Sequence, residues 1–587
     1  MKNDFRKGKP MNAEANRADF VVAPDGSNGN PGTLERPFAT LAQAQQAVRR
    51  KIAAGLDADV TVLLRGGSYA LDRPLVFGPE DGGTEDYSVT YAAWPGEQVL
   101  LHAGREISGW ESAGRRYLWQ TTVPGVADGK WWFRQLIVDD LRPRRARWPE
   151  HNLLTVTALS DDLKEIEFDR ELPDLSDAGD DVELVVRQNF SVSRCRVLAT
   201  RGRTIEIATA PGWVPHGSTT VRVKCRAYLE HAPAFVNRPF EWHLDRGNGK
   251  LLCETSEDQD PNGRRFVAPY LEQLLRIEGR PEEPVRNLHF RGLDFAHTSW
   301  TVPQIGYSGI QACHYGNGYK TAPTYALPLA VQWTWAHGCS WRQCSLRHTG
   351  ASGLGLGAGC RDNVIQRCTF EDIGGNGVMI GWRAVQDQPP DRWMNADWTD
   401  PAEVPAGNCV SHCRLRTCGA VNTGGIGIWA AFCADTRIAH NLICDMPYSG
   451  ISIGFRWNDT PTSQRTCIVE RNHIHHIMLD QADGGGIYTL GLQPGTVLRG
   501  NLIHDVGRSD ASVSRAPNNG IFCDEGSTGF LIEQNIIYDT PEGATRFNDS
   551  AADRHTWVDN SLGVRPGHPD FPVARAAQAG PQPPPEP

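Results

Sequence analysis

A phrase of about eight residues recurs along the second half of this chain, and no other feature restricts the fold so much. "RQCSLRHTG", "QRCTFEDIG" and "SHCRLRTCG" set Cys344, Cys368 and Cys413 in equivalent places, and "AHNLICDM", "ERNHIHHI", "RGNLIHDV" and "EQNIIYDT" set Asn441, Asn472, Asn501 and Asn535 there. Ile443, Ile474, Ile503 and Ile537 follow each asparagine by two residues, and Leu293 in "RGLDFAHT" starts the series. The first interval is 24 residues; the later ones of 45, 28, 31, 29 and 34 read as the same unit with loops inserted. Every unit also carries a glycine followed by a short β-rich run, such as "GVMIG", "GISIG" and "GIFCD". These are period-two strands with small corner residues. A unit this short cannot bury an apolar face alone, so the units must stack. The expected fold is all-β, a right-handed parallel β-helix. A β-propeller would need blades of roughly 40 to 45 residues. The asparagines should then form a hydrogen-bonded column, continued by the cysteines as small apolar filler.

The rest of the chain divides around this stack. Residues 1–18 read as a disordered N-terminus and 19–108 as a cap with the first coils. In the cap, Thr40 and Gln43 make a capping-box pattern for a helix through "LAQAQQAVRRKIAAG", which would cover the open end of the stack. Between 109 and 270 the register vanishes. There "WWFRQLIVDDLRPRRARWPE" and "FEWHLDRGNGKLLCET" read as antiparallel hairpins of an inserted β domain. The main β-helix is expected over 271–545, a C-terminal extension over 546–571, and a disordered tail over 572–587, rich in proline and alanine.

A net charge of −10 and a pI near 6.0 give no footprint for nucleic acid. No apolar run reaches the roughly 20 residues of a bilayer span, and the opening residues show no export segment. With 15 cysteines and no such segment, the expectation is a cytoplasmic enzyme with reduced thiols, which trims oligosaccharides from the end. Two tempting motifs are set aside. "GLGLGAG" at 353 has no helix after it to cradle a phosphate, and Cys409, Cys413 and Cys418 with His412 fit no common zinc spacing. No metal or cofactor is expected.

Two acids survive this filter. Asp483 in "QADGGGIYTLG" and Asp524 in "NNGIFCDEGST" flank similar Gly-Ile-aromatic runs on consecutive coils. Coils lie about 4.8 Å apart, so such acids can reach the separations of about 5 to 9.5 Å that glycoside hydrolysis uses. One carboxyl would protonate the leaving oxygen while the other attacks carbon or directs water. With the runs aligned, the acids stand seven positions apart, so a corner is required, and Gly484 to Gly486 are expected to supply it. Trp429, Trp457 and Tyr488 offer aromatic walls for a sugar, with Glu525, His476 and Arg456 as further substrate contacts. In "NHIHHI", His473 and His475 should share one face, and Ile474 and His476 the other. A polysaccharide lyase or epimerase acting on uronates would instead use arginine or histidine, such as Arg456, Arg471 and His476, since no lysine follows Lys320. A non-catalytic carbohydrate-binding β-helix is the third reading.

The order of "DFVVAPDGSNGNPGTLERPFATLAQAQQAV", "RPRRARWP", "DGGGIYTLG" and "DEGST" resembles glycoside hydrolase family 141 over most of residues 19–545. That resemblance implies a β-helix enzyme with α-L-fucosidase or xylanase activity on plant cell-wall glycans. It also implies a retaining mechanism with two catalytic aspartates, which by matching phrase fall on Asp483 and Asp524.

Overall fold

The computed structural model of this chain describes residues 18–583 apart from 177, 180, 215–224, 257–258, 320, 322, 387–396 and 510–515. The N-terminal segment 1–17 and parts of the loops before Trp398 and Asn519 thus lie outside the described residues. Three parallel sheets of 12, 11 and 10 strands make a right-handed β-helix, each coil visiting them in that order. Stacked isoleucines fill the interior. On the ten-stranded sheet Ile428, Ile451, Ile487 and Ile521 stand in register, each fully buried. Alternation turns Trp429, Ser452, Tyr488, Phe522 and Arg546 to the outer face of the same sheet.

The repeated phrase forms the expected column. Asn441 donates through Nδ2 to Asn472 Oδ1 at 2.9 Å, Asn472 to Asn501 at 3.0 Å and Asn501 to Asn535 at 2.9 Å. Each amide also takes a carbonyl, so both ends of a buried side chain are satisfied. The cysteine end joins smoothly, with Cys413 N–H donating to Asn441 Oδ1 at 2.9 Å. Asn560, outside the expected repeat, closes the other end at 3.0 Å from Asn535. It belongs to a last coil, with strands Thr545–Phe547, Thr556–Val558 and Ser561–Leu562, that carries the stack past residue 545. All 15 cysteines are free thiols.

Eight successive coils, from that of His297 to that of Asp539, leave the eleven-stranded sheet through one residue in the left-handed region. His297, His348, Asp372, Thr417, Asp445, His476, Asp505 and Asp539 all have φ between 50° and 66°. The conformation breaks period-two alternation. His476 is therefore exposed rather than sharing the inner face with buried Ile474, while His473 and His475 keep one outer face with rings 4.7 Å apart.

A helix, Leu41–Ala53, caps the first coil. Thr40 Oγ1 accepts from Gln43 N–H at 3.3 Å, and Leu41, Ala44 and Val48 are buried against the end of the stack. The inserted domain begins at Gly104 and ends at Pro269, where Gly104–Ile107 and Phe266–Pro269 pair antiparallel. It holds a seven-stranded antiparallel sheet that closes on itself where Glu183–Arg187 meets Arg226–Glu230. Trp242–Leu244 and Lys250–Glu254 form the expected hairpin around Gly247-Asn248-Gly249. Within "WWFRQLIVDDLRPRRARWPE" the Asp139-Asp140 turn joins Val138 to Leu141 by a short antiparallel bridge, and beyond it the strands pair elsewhere: Ile137–Val138 with Phe266–Pro269 and Arg147–Trp148 with Arg226–Glu230. After that turn, "RPRRAR" buries Arg145 against Glu230. Residues 573–583, expected to be disordered by composition, run along the outer face: Val573–Ala576 is helical and Phe571, Ala576 and Ala579 pack on Leu502, Ile536 and Tyr538.

Candidate active site

The insertions fall at the two edges of the ten-stranded sheet. Asp483 precedes strand Gly485–Thr489, and Asp524 follows strand Asn519–Cys523 on the next coil, with Ile487 level with Ile521. The outer face between them carries Tyr488, Phe522 and Arg546, one per coil.

Asp483 itself makes the corner. Its φ is 65°, and Tyr448 O–H donates to its carbonyl at 3.0 Å. The three glycines serve another purpose, since none of them has positive φ. They leave room: a Cβ at Gly484 would meet the Tyr448 ring at 2.7 Å and one at Gly486 the Gly520 carbonyl at 2.8 Å. The glycine column continues through Gly450, whose Cβ would meet the Gly486 carbonyl at 2.9 Å.

The two carboxylates have different surroundings. Asp483, with 23 % of its side chain exposed, accepts from Arg546 Nη1 at 2.7 Å. Burial pushes its carboxyl above the usual range; Arg546 opposes that shift, and the charge of Asp524 adds to it. Asp524 accepts from the Tyr488 hydroxyl on one oxygen and from Asn548 Nδ2 at 2.7 Å on the other. Tyr488 is held neutral by burial and by the field of Asp524, so its hydroxyl keeps the proton it donates. Gln311 Nε2 donates to the same hydroxyl at 3.0 Å. The Arg546 guanidinium lies 4.1 Å over the Phe522 ring, and its Nη1 also donates to the Pro517 carbonyl.

Loops from other parts of the chain close over this floor. Ala482 N–H donates to the Asn189 carbonyl of the insert at 2.7 Å, and Arg187 ion-pairs with Asp480, so the insert braces the turn that carries Asp483. Trp213 of the insert stacks on Trp457 at 6.0 Å and 3°, and its Nε1 donates to Ile310, next to Gln311. The loop bearing Trp457 approaches Asp524 from the other side, because Gly526 sits directly under Asn458.

The structure therefore brings together Asp483, Asp524 and Tyr488, with Glu525 half-buried in the adjoining turn and Trp457 and Arg456 in the neighbouring loop. Trp429 is elsewhere in effect. It is fully buried beneath His314 and Phe455, with ring centroids at 5.1 Å and 5.3 Å, and cannot meet a sugar. His476 is also apart, on the eleven-stranded sheet with His475 at 2.6 Å. Arg546, Asn548, Gln311, Tyr448 and Trp213 had no signal in the repeat. Two of them lie beyond the expected end of the stack and the others in loops or in the insert. Cavities of about 500 Å³ and 270 Å³ lie at the insert, not over the acids. The smaller is lined by Arg134, Arg145 and Arg194, whose charges are largely met by Glu183 and Glu230.

No protein-family profile matches the chain, and no curated protein matches it. Solved structures do. One described as "Glycoside hydrolase" is similar over 96 % of this chain and 99 % of its own length, with 26 % identity and a TM-score of 0.84. A complex of XylC with xylose and a "Rhamnogalacturonan lyase" align with 13 % and 11 % identity, over 92 % and 93 % of this chain and 69 % and 89 % of theirs, each with a TM-score of 0.44.

Proposed function

We propose that the chain is a retaining glycoside hydrolase that acts on fucose- or xylose-containing oligosaccharides, with Asp524 as nucleophile and Asp483 as acid/base. The observation that carries this reading is the unequal treatment of two carboxyls on one sheet face. Asp524 accepts from two neutral donors, Tyr488 and Asn548, while Asp483 is desolvated, sits in the field of Asp524 and is raised in pKa despite its Arg546 partner. Environments that push two carboxyls apart are the signature of an acid and a base. The full-length likeness to a glycoside hydrolase supports the same class. In the proposed reaction Asp483 gives its proton to the leaving oxygen as Asp524 attacks the anomeric carbon. Asp483 then takes a proton from the water that releases the sugar. Trp213 and Trp457 would flank the sugar's apolar face.

A screen of aryl α- and β-glycosides of fucose, xylose, arabinose and galactose tests the class. The anomer formed first, read by proton NMR, tests retention. Turnover with none of them, together with release of an ultraviolet-absorbing unsaturated product from a uronate polymer, would replace this reading by the lyase one. Free thiols throughout the core fit a reducing compartment, and we place the enzyme's work there. Isolation of the native protein from culture medium or periplasm would contradict that placement.

The pH profile follows from the sign of the Asp483 shift. Its folded pKa is raised, so the proton needed for leaving-group departure is retained above the ordinary aspartate range and is lost as pH rises through that raised value. The basic limb of kcat/KM is expected there. Arg546→Met removes the cation that lowers this pKa and should move the basic limb to higher pH. A limb unmoved, or moved to lower pH, would separate Asp483 from the proton transfer. Glu525→Gln should cost less turnover than either aspartate change.

A further inference from the structure

Far from the cleft, three potential ligands converge where the insert meets the β-helix. His297 and His348 hold the left-handed corner on consecutive coils, and the coil spacing stacks their rings at 5.6 Å and 10°. Asp140 comes from the insert, in the exposed turn between Val138 and Leu141, and is itself left-handed at φ 69°. One ring nitrogen of each histidine and one oxygen of Asp140 all lie within 4.8 Å of one another.

The surroundings are those of a coordination site. His348 Nδ1 is 2.6 Å from Asp372 Oδ2, and its Nε2 lies 3.2 Å from Asp140 Oδ1. Arg142 Nε fixes Asp372 in turn, at 2.9 Å and 3.0 Å from its two oxygens, and Arg347 takes the other oxygen of Asp140. A carboxylate behind an imidazole sets the tautomer and aims the ring, as it does for metal-ligating histidines. His297 is 1 % exposed, yet neither of its ring nitrogens has a hydrogen-bond partner. Such a buried polar group is costly unless something fills its lone pair. Metal bonds of about 2.0 to 2.1 Å at tetrahedral angles put ligand atoms about 3.3 Å apart, close to the His348–Asp140 separation. Two imidazoles and one carboxylate select a first-row transition ion over calcium or magnesium.

We propose that His297, His348 and Asp140 bind a divalent ion of the zinc class, which fastens the turn of the insert to the corner of the β-helix. The ion has no part in the cleavage chemistry, since four coils of strand pairing separate His348 from the coil of Asp483.

The test uses tag-free, full-length protein dialysed against zinc and then against metal-free buffer, with bound metal counted by plasma mass spectrometry. One zinc per chain is expected, and cobalt in its place should give the visible absorption of a tetrahedral site. Asp140→Asn, an exposed change that leaves the fold intact, and His348→Ala should each lose the metal. His504→Ala, in the separate histidine row where it meets His473 at 2.8 Å, should keep it. Zinc should raise the Tm of the unmodified chain by about 2 °C and that of Asp140→Asn not at all. Absence of zinc from the unmodified chain, or zinc lost with His504 and retained by both other variants, overturns the proposal and leaves Asp140 and His348 as simple hydrogen-bond partners.

Discussion

Asp524→Asn and Asp483→Asn each lower kcat by at least about a hundredfold on the glycoside that the screen identifies, while the Tm stays within a degree or so of the parent's. Both substitutions preserve shape and remove a charge or a transferable proton. They should differ in what restores them. Asp524→Gly leaves space on the attacking side, where azide can bond to the anomeric carbon in place of the carboxylate. The product would be a glycosyl azide of inverted configuration, and it would mark Asp524 as the nucleophile. For Asp483→Gly the azide would enter after the first displacement and give a retained product. Near-parental turnover by either Asn variant would remove that residue from the chemistry and return the arginine candidates of the lyase reading to consideration.

Asn472→Ala is the second large effect, and it falls on stability. Asn472 Oδ1 accepts from both Asn441 N–H at 3.0 Å and Asn441 Nδ2 at 2.9 Å, while its Nδ2 donates to the Ile438 carbonyl and to Asn501. Truncation strands polar atoms on two neighbouring coils, in a site with no exposed surface. Each buried orphan costs about 1 to 3 kcal/mol, so a total of about 3 kcal/mol or more is expected. Denaturant unfolding or a thermal melt measures it. Asn560→Ala, at the more open end of the column, should cost less. A loss at Asn472 no larger than at Asn560 would show that the column does not act as a ladder.

The same column shows why the fold could be read from the sequence. A buried amide that must meet its own kind every coil leaves a period, and a period survives inserted loops. The left-handed corner leaves one too, four residues after each Leu, Cys or Asn of the phrase, and all its residues but Thr417 are aspartate or histidine, types that tolerate this conformation. Read without that mark, alternation extends wrongly through His476. Trp429 failed as a cleft wall for a related reason. Its outward direction could be read from alternation, but the loop with His314 that covers it comes from more than a hundred residues earlier. The two acids were visible because glycines crowd the strands beside them. Their glycines were misread as a hinge, whereas Asp483 turns the chain and the glycines make room for the neighbouring coil. Arg546 and Asn548 stayed hidden because the last coil carries the phrase only as Asn560, with no isoleucine two residues on.

That last coil also sets a schedule. A parallel β-helix adds strands in the order of the chain, so its coils can form from the N-terminus onward during synthesis. The insert, residues 104–269, is available to brace the Asp483 turn well before that turn exists. One partner of each acid comes last: Arg546 meets Asp483, and Asn548 joins Tyr488 at Asp524. A chain released early would stack its coils, bury its isoleucines and keep both aspartates, yet lack the Arg546 and Asn548 side chains. In such a fragment Asp483 would lack the cation that lowers its pKa and Asp524 its amide donor, so on the proposed reading the balance between the two acids is set only when nearly the whole message has been translated.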